Sequence, residues 1–272
     1  MSGLTEKVET KIEEYKKNKE GKLIWIAEDW HNKEFNRFIE QFGETPPQGI
    51  VVDDGRNDLI RVDSFAQDDL MLKKFNLMRN YDKLRFCLLD SKAVRSLRIA
   101  LALEEVGVQT PKPIAVVEER GKFNQLLYSY YLTEYVDYDY NLLHIVADDD
   151  HPRRKQVKEL LPGIAKDVRR MHDAGIVHND LHAGNILIKD MDSNPEFYYI
   201  DLNRGRIKGS LSDEQRMKDL ARFEIREEEK KIFIKNYSPQ SWVELFDLMK
   251  KQRQRRKAFR EMKRKIRNLF RD

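Results

Sequence analysis

The stretch GIVHNDLHAGNILI, residues 175–188, sets two histidines, an aspartate and an asparagine between two apolar runs. His178, Asp180 and His182 alternate at a spacing of two, so on a β-strand they would share one face and could bind zinc. A zinc site needs three or four ligands, however, and the single cysteine, Cys87, lies far away in sequence. Zinc is therefore the weakest of three interpretations; the others are a structural loop and a catalytic loop.

The order of the polar residues favours a catalytic loop. Asp180 is followed five residues later by Asn185, and a hairpin pattern then leads to Asp201. In phosphoryl transfer from ATP, one carboxylate positions the acceptor hydroxyl and takes its proton, while an asparagine and a second aspartate hold magnesium against the phosphates. Asp180, Asn185 and Asp201 supply these three groups in that order. The sequence therefore predicts phosphotransfer that uses ATP and Mg²⁺.

The region before this loop has the pattern of an antiparallel sheet with one helix. The helix is predicted over SKAVRSLRIALALEEVG, whose apolar residues recur at helical spacing and which Gly107 terminates. After Tyr138 the patterns are mostly helical. Five stretches between residues 49 and 136 have strand patterns, namely GIVVDD, LIRVDSF, DLMLKKF, IAVVEE and QLLYSYYLTEYV.

These elements together resemble the protein kinase-like fold over residues 49–235. Within that fold, DLMLKKFN, SKAVRSLRIALALEEVGVQTPKPIAVVE, HNDLHAGNIL and IDLNRGR most resemble the bacterial lipopolysaccharide kinases, which phosphorylate Kdo or heptose of lipid A-linked oligosaccharides. The resemblance implies an α+β, bilobal fold with a five-stranded antiparallel N-lobe carrying one helix and a mostly helical C-lobe. The expected segments are an N-terminal extension of unknown role (1–48), the N-lobe (49–136), the C-lobe with the catalytic loop (137–240) and a basic amphipathic helix (241–272).

The resemblance also implies roles for single residues. Asp180 is the expected catalytic base, and Asn185 and Asp201 are the expected magnesium ligands. The remaining expected residues are Lys73 (with Lys74 as its rival) and Gly55 at the ATP phosphates, the backbone of Glu134 and Val136 at adenine, and His178 and Asp219 as supports of the loop.

The sequence departs from the kinase pattern in three places. Asp201-Leu202-Asn203 stands where Asp-Phe-Gly is usual, and the helix glutamate that would pair with Lys73 is not at its expected position. Only 17 residues separate Asp201 from Asp219, which leaves little room for a peptide-binding activation loop. We therefore expect no peptide substrate.

The acidic stretch 136–151 either binds sugar hydroxyls or is a solvated loop.

The C-terminal block is strongly basic. Residues 250–271 hold twelve Lys or Arg and one acid, Glu261, a net charge of +11; since the whole chain carries +4, the remainder carries −7. Such a helix suits an anionic membrane surface. Nucleic acid is a disfavoured partner, because no stacking platform or groove-reading motif accompanies the charge, and a solvated tail is the third interpretation. An apolar stripe runs through the block at Phe259, Met262, Ile266, Leu269 and Phe270.

Composition limits the remaining choices. The 272 residues are 40% hydrophobic and 36% charged, and no window approaches the roughly 18 apolar residues of a membrane span. The N-terminus is too polar for a signal peptide, and a single cysteine excludes an internal disulfide. We expect a cytoplasmic enzyme, peripheral to the inner face of the bacterial inner membrane, that phosphorylates Kdo or heptose of a lipid A-linked core oligosaccharide by direct in-line transfer.

Two alternatives to this function stay open at the level of sequence. The segment HNDLHAGN also resembles the loop of aminoglycoside and choline kinases, which act on soluble small molecules. The second alternative is a kinase-like pseudoenzyme that acts as a membrane scaffold, and the missing helix glutamate is its main support.

Overall fold

The computed structural model describes residues 3–14, 16–19, 22–53, 55, 57–65, 68–77 and 85–269. The chain divides into two compact units. The first unit comprises Met1–Asp137 and Asp201–Gly205, and the second comprises Tyr138–Ile200 and Arg206–Asp272. The N-terminal region thus belongs to the same unit as the predicted sheet. The segment Asp201–Gly205 also belongs to this unit, although its neighbours in sequence belong to the second.

An antiparallel sheet organises the first unit, and among the described residues it has seven strands in the order β1-β2-β6-β7-β5-β4-β3. All five predicted strands are present. The prediction of a five-stranded sheet is nevertheless wrong, because β2 pairs with β6 and brings β1 with it. The strands are β1 (Lys16–Lys19), β2 (Lys22–Ile26), β3 (Ile50–Asp53), β4 (Asp58–Phe65), β5 (Asp68–Lys74), β6 (Pro113–Arg120) and β7 (Leu126–Glu134).

The helices of the first unit cover this sheet. They are α1 (Gly3–Glu14), α2 (Lys33–Glu40) and α3 (Lys92–Glu105). The predicted helix is α3: the Ser91 hydroxyl accepts the Val94 N–H at its start, and Gly107, with φ +67°, follows its end. Apolar side chains of α2 and of β2, β5, β6 and β7 form one buried cluster.

The second unit is mostly helical, as the pattern after Tyr138 predicts. Its helices are α4 (Leu142–Ala147), α5 (Val157–Asp173), α6 (Asp213–Leu220), α7 (Glu227–Tyr237) and α8 (Trp242–Leu269). Its strands form two small sheets, β11-β10-β8 and β12-β9. They are β8 (Tyr140–Asn141), β9 (Ile176–Val177), β10 (Ile186–Lys189), β11 (Glu196–Tyr199) and β12 (Arg206–Ile207).

The basic C-terminal block lies in α8. The first half of this helix buries Leu245, Phe246 and Met249, whereas Phe259, Met262 and Ile266 remain 51%, 48% and 45% exposed. Phe270 of the predicted stripe lies outside the described residues, and so does the side chain of Leu269. Within the described part of the chain, no helix combines the length and the apolar character needed to span a membrane.

Candidate active site

The stretch 175–188 connects α5 to β10 in the second unit. Gly175 adopts φ +79°, and a Cβ at this position would lie 1.8 Å from the Gly209 carbonyl oxygen, so the entry to the stretch requires glycine. Residues 178–185, which we call the catalytic loop, end in the 3-10 helix Ala183–Asn185.

The buried carboxylate of Asp219, in α6, holds the start of the catalytic loop. Its two oxygens accept the backbone N–H groups of His178 (2.8 Å) and Asn179 (2.7 Å), and His172 Nε2 lies 3.3 Å away. Burial would raise the pKa of Asp219, yet the hydrogen bonds and charges of His172 and His178 hold it below its ordinary value. An ionised carboxylate thus sits at 4% exposure and fixes Asn179 in a left-handed conformation, φ 61°.

Both histidines of the loop bond to the protein backbone. The Nε2 of His178 lies 3.0 Å from the Ile200 carbonyl oxygen, which can only accept, so Nε2–H donates. The Nδ1 of His182 accepts the Gly184 N–H at 3.1 Å and caps the 3-10 helix. Among the described residues, no three His, Cys, Asp or Glu side chains are arranged to hold a metal ion. At least one ring nitrogen of each histidine thus has a structural partner in the backbone.

Asp180 and Asn185 lie next to each other in the catalytic loop. The Asn185 Nδ2 donates to the Asp180 carbonyl oxygen at 2.9 Å, which turns the Asn185 side-chain oxygen away from that bond. The Asn185 carbonyl accepts the Ile200 N–H at 3.1 Å, directly before Asp201 in sequence. The Asp180 carboxylate pairs with the guanidinium of Arg222.

The first unit brings together Lys73 and Asp201. The Lys73 Nζ lies 2.7 Å from Asp201 Oδ1, the same oxygen that accepts a hydrogen bond from Asn203 Nδ2. Asp201 adopts a left-handed backbone, φ 59° and ψ 49°, which aspartate tolerates better than most residues. The carboxylate that pairs with Lys73 is therefore Asp201, a pairing that the helix sequence does not reveal.

The segment Asp201–Gly205 is held against α3. Leu202 is buried, and a Cβ on Gly205 would lie 2.7 Å from Ile99 Cγ1, so the backbone approaches the helix closely. This close packing keeps Asp201 in the first unit with Lys73 of β5.

Lys73 and Lys74 point to opposite faces of β5. Lys73 contacts Asp201, whereas Lys74 Nζ donates to the Glu44 carbonyl oxygen in the N-terminal region. Strand alternation therefore separates the two candidate lysines, and the one on the Asp201 side is Lys73.

The expected nucleotide-binding backbone lies at the end of β7. Glu134 is the last residue of this strand, and its N–H donates to Lys112 at 3.0 Å, while the Tyr135 N–H donates to Asp69 at 2.8 Å. These bonds order the backbone that leads to Val136. Gly55 lies in the turn between β3 and β4, where its N–H donates to Asp53 Oδ1 at 3.0 Å.

One aspartate of the acidic stretch 136–151, Asp139, has structural contacts in the second unit. Asp139 Oδ2 accepts the Met191 N–H at 2.9 Å, and the Asp139 N–H donates to Ile188 at 2.9 Å. Asn141, in the same acidic stretch, caps the start of α4 with its side chain, and its Nδ2 donates to the Gly184 carbonyl oxygen. Asp139 thus supports β10 and the turn after it.

Three residues of the candidate site could not be predicted from sequence patterns alone. Arg222 follows Asp219 by three positions, and residues at this spacing are neighbours on the surface of a helix. This spacing is the one feature of the sequence that indicates Arg222. His172 lies in the last turn of α5 and bridges Asp219 to the Tyr237 hydroxyl, which is 2.8 Å from His172 Nδ1. Asn203 is visible in sequence only as a departure from the kinase pattern.

Residues 69–248 match the family described as the lipopolysaccharide kinase (Kdo/WaaP) family. The chain belongs to this family. It is 27% identical over 168 residues to the 3-deoxy-D-manno-octulosonic acid kinase of Haemophilus influenzae (strain 86-028NP), covering 61% of this chain and 67% of the relative. The corresponding kinase of Mannheimia succiniciproducens is 28% identical over 170 residues, 62% of this chain and 68% of the relative.

A solved structure described as WaaP in complex with acyl carrier protein has the same fold. It matches with a TM-score of 0.57 and 18% identity, over 85% of this chain and 98% of that one. The fold likeness and the family match together confirm the predicted resemblance. The chain is a phosphotransferase of lipopolysaccharide biosynthesis, and as a kinase it uses ATP.

Proposed function

We propose that this enzyme transfers the γ-phosphate of ATP directly to a hydroxyl of Kdo, 3-deoxy-D-manno-octulosonic acid, in a lipopolysaccharide core acceptor. The acceptor oxygen attacks the γ-phosphorus in line, the bond to the ADP oxygen breaks, and the hydroxyl proton passes to Asp180. The observation that carries this proposal is the ionisable carboxylate of Asp180 on a loop anchored by buried Asp219. The names of the relatives favour Kdo over heptose as the acceptor sugar.

Asn185 and Asp201 are the proposed Mg²⁺ ligands. Mg²⁺ prefers oxygen ligands and, when bound, neutralises phosphate charge. The donor chemistry fits: the Asn185 nitrogen is engaged with the Asp180 carbonyl, so oxygen is the ligand atom offered. Asp201 is a carboxylate, and its Oδ1 accepts hydrogen bonds from Lys73 and Asn203.

Lys73, Gly55, Glu134 and Val136 are the proposed ATP contacts. Lys73 supplies a cation for the phosphates, and its present partner Asp201 keeps it oriented. The Glu134 carbonyl and the Val136 N–H would bind adenine, and Gly55 would allow a close approach of the β3–β4 turn to the phosphates.

The test is phosphorylation of defined acceptors by the purified protein with ATP and MgCl₂. We expect mass spectrometry to detect a single added phosphate on a Kdo-terminated lipid A precursor, and none with Asp180→Asn. A heptose-terminated acceptor, choline and an aminoglycoside are the alternative substrates. Phosphorylation of one of these in place of the Kdo acceptor would reject the proposal, and ATP binding without transfer to any of them would favour the scaffold.

We also propose that α8 holds the enzyme at an anionic membrane surface, where a lipid-linked acceptor resides. The exposed stripe of Phe259, Met262 and Ile266 supports this proposal, because it is flanked by Lys and Arg and would insert among lipid headgroups. Each basic residue near such a surface contributes about 1 kcal/mol.

Co-sedimentation with anionic vesicles tests the membrane role. Replacing Phe259, Met262 and Ile266 together by Ser should remove the part of binding that persists at high salt, since salt screens charges but not apolar burial. The matched control is Phe123→Ser, at a residue 94% exposed in the first unit. If the wild type, the triple Ser variant and Phe123→Ser sediment equally at high salt, the membrane role of α8 is contradicted. Preferential binding of the wild type to RNA would also contradict it.

A further inference from the structure

The second unit contains a strongly basic cavity beside α8. Its volume is about 710 Å³, and it is lined by Ala221, Glu224 and residues of α8 between Arg253 and Arg267. Seven Lys or Arg and two Glu line it, a net charge of +5. The volume lies within the range of about 300–1,000 Å³ that is usual for small-molecule sites, so the cavity has room for a sugar as well as an ion.

The cationic lining lies on the inward face of α8. At about 100° per residue, Arg253, Arg256 and Arg260 continue the stripe that begins with buried Leu245 and Met249. The exposed apolar stripe of the same helix lies roughly 120° away around its axis. The residues that line the cavity and the residues proposed to meet the membrane are therefore different.

Positive charge is crowded in this cavity. Arg253 donates to the Phe223 carbonyl at 2.9 Å and Arg256 to the Ala221 carbonyl at 3.5 Å, both neutral partners. Burial lowers the pKa of Arg256, and the positive charges of Arg222 and Arg260 lower it further, against the opposing effect of Glu224 and Asp180. A bound anion would relieve this repulsion.

Arg222 connects the cavity to the proposed base. It directly follows Ala221, which lines the cavity, and its charge acts on Arg256 of the lining. Its guanidinium pairs with the Asp180 carboxylate. Its side chain keeps 29% of its surface exposed, so a ligand can reach it. An anion bound at Arg222 would therefore lie beside the hydroxyl that Asp180 deprotonates.

We propose that Arg222 and the inward cationic face of α8 form a binding site for the carboxylate of the acceptor sugar. The inference rests on the proposed function, in which the acceptor is a sugar acid. A guanidinium binds a carboxylate through two parallel hydrogen bonds, which fixes the orientation of the sugar. On binding, the acceptor carboxylate exchanges with Asp180 at Arg222, and Asp180 is released to the hydroxyl. Arg222 is thereby a specificity residue that favours an acid over a neutral sugar.

The test compares a Kdo glycoside carrying a free carboxylate with its methyl ester. We expect the wild-type enzyme to prefer the free acid in kcat/KM and in calorimetric affinity by about 10- to 100-fold. Arg222→Gln should abolish this preference without changing the KM for ATP, and Arg222→Lys should keep part of it. Arg256→Gln serves as a second variant if Arg222→Gln fails to fold. The matched control is Arg255→Ala on the outer face of α8, where Arg255 lies 3.9 Å from Glu214.

The outcomes separate the two proposals. If Arg222 only positions Asp180, Arg222→Gln lowers kcat equally for acid and ester, and the binding site is overturned. If the wild-type enzyme binds both glycosides with equal affinity, the site is also overturned. If it binds the acid through Arg222 but phosphorylates neither glycoside, the site stands and the proposed function fails. Competition by inorganic phosphate as strong as by the free acid would show an unselective anion site and refute the carboxylate assignment.

Discussion

Asp180 and Asp201 are both paired with a basic side chain, yet they are positioned in different ways. Asp180 belongs to a loop whose backbone is bound by the buried carboxylate of Asp219. Asp201 relies on its own left-handed backbone and on two side chains, Lys73 and Asn203, that share one of its oxygens. A buried ionic network therefore sets the position of the proposed base, whereas partly exposed polar contacts set that of the proposed metal ligand.

The largest effect is expected at the base itself. Asp180→Asn keeps the size of the side chain but cannot take a proton, so kcat should fall by about 10²–10⁴-fold while the affinity for ATP is unchanged. Steady-state kinetics and ATP calorimetry measure the two quantities. The control is Asp190→Asn, in a surface turn with φ 54° that asparagine also adopts. Normal turnover in Asp180→Asn would remove Asp180 from the mechanism.

The next effect concerns the anchor of the catalytic loop. Asp219→Ala leaves the N–H groups of His178 and Asn179 without their acceptor, which should lower the free energy of unfolding by about 2–5 kcal/mol. Urea denaturation measures this change. Glu214→Ala, at an exposed position of the same helix, should cost under about 0.5 kcal/mol.

The effect of Asp219→Ala on the free energy of unfolding should depend on pH. Because the folded protein holds the pKa of Asp219 below its ordinary value, this carboxylate stabilises the protein above the unfolded value of about 3.9. The stabilisation is lost as pH falls through the lower, folded pKa. The difference in unfolding free energy between wild type and Asp219→Ala should therefore narrow on acidification below about pH 4. A constant difference would show that folding does not lower the pKa of Asp219.

A smaller effect is expected in the first unit, at Lys73. Lys73→Met keeps the aliphatic length but removes the cation, so the KM for ATP should rise about 10- to 100-fold. The neighbouring Lys74→Met is the control, because Lys74 points away and bonds to Glu44. If Lys74→Met impairs ATP binding and Lys73→Met does not, the assignment of the two faces of β5 is wrong.

The smallest effect is expected at Asn203. Asn203→Ala removes one of the two hydrogen bonds to Asp201 Oδ1, which costs about 0.5–1.5 kcal/mol, or a roughly two- to tenfold rise in the Mg²⁺ concentration for half-maximal rate. Asn203→Asp places a like charge beside Asp201 and should raise that concentration further. If Asn203→Ala is as damaging as Lys73→Met, the contacts around Asp201 are more tightly coupled than their exposure indicates.

Local sequence patterns determined many of the helices and strands of this protein and the order of its candidate catalytic residues. Strand alternation and helical spacing depend on neighbouring residues, so all five predicted strands and α3 could be identified from the sequence. The order of Asp180, Asn185 and Asp201 is the one expected for phosphoryl transfer, and the family match confirms the resemblance that this order suggested.

Only the tertiary structure decided which distant residues meet. Lys73 and Asp201 are 128 positions apart, and Arg222 lies 42 positions from Asp180. The sequence of β2 contains no information about its partner β6, which lies about 90 positions further along the chain. Such contacts arise when buried surfaces and charges from separate elements are satisfied together. The periodicity of a single element specifies its exposed and buried faces, but it does not specify the element that each face contacts.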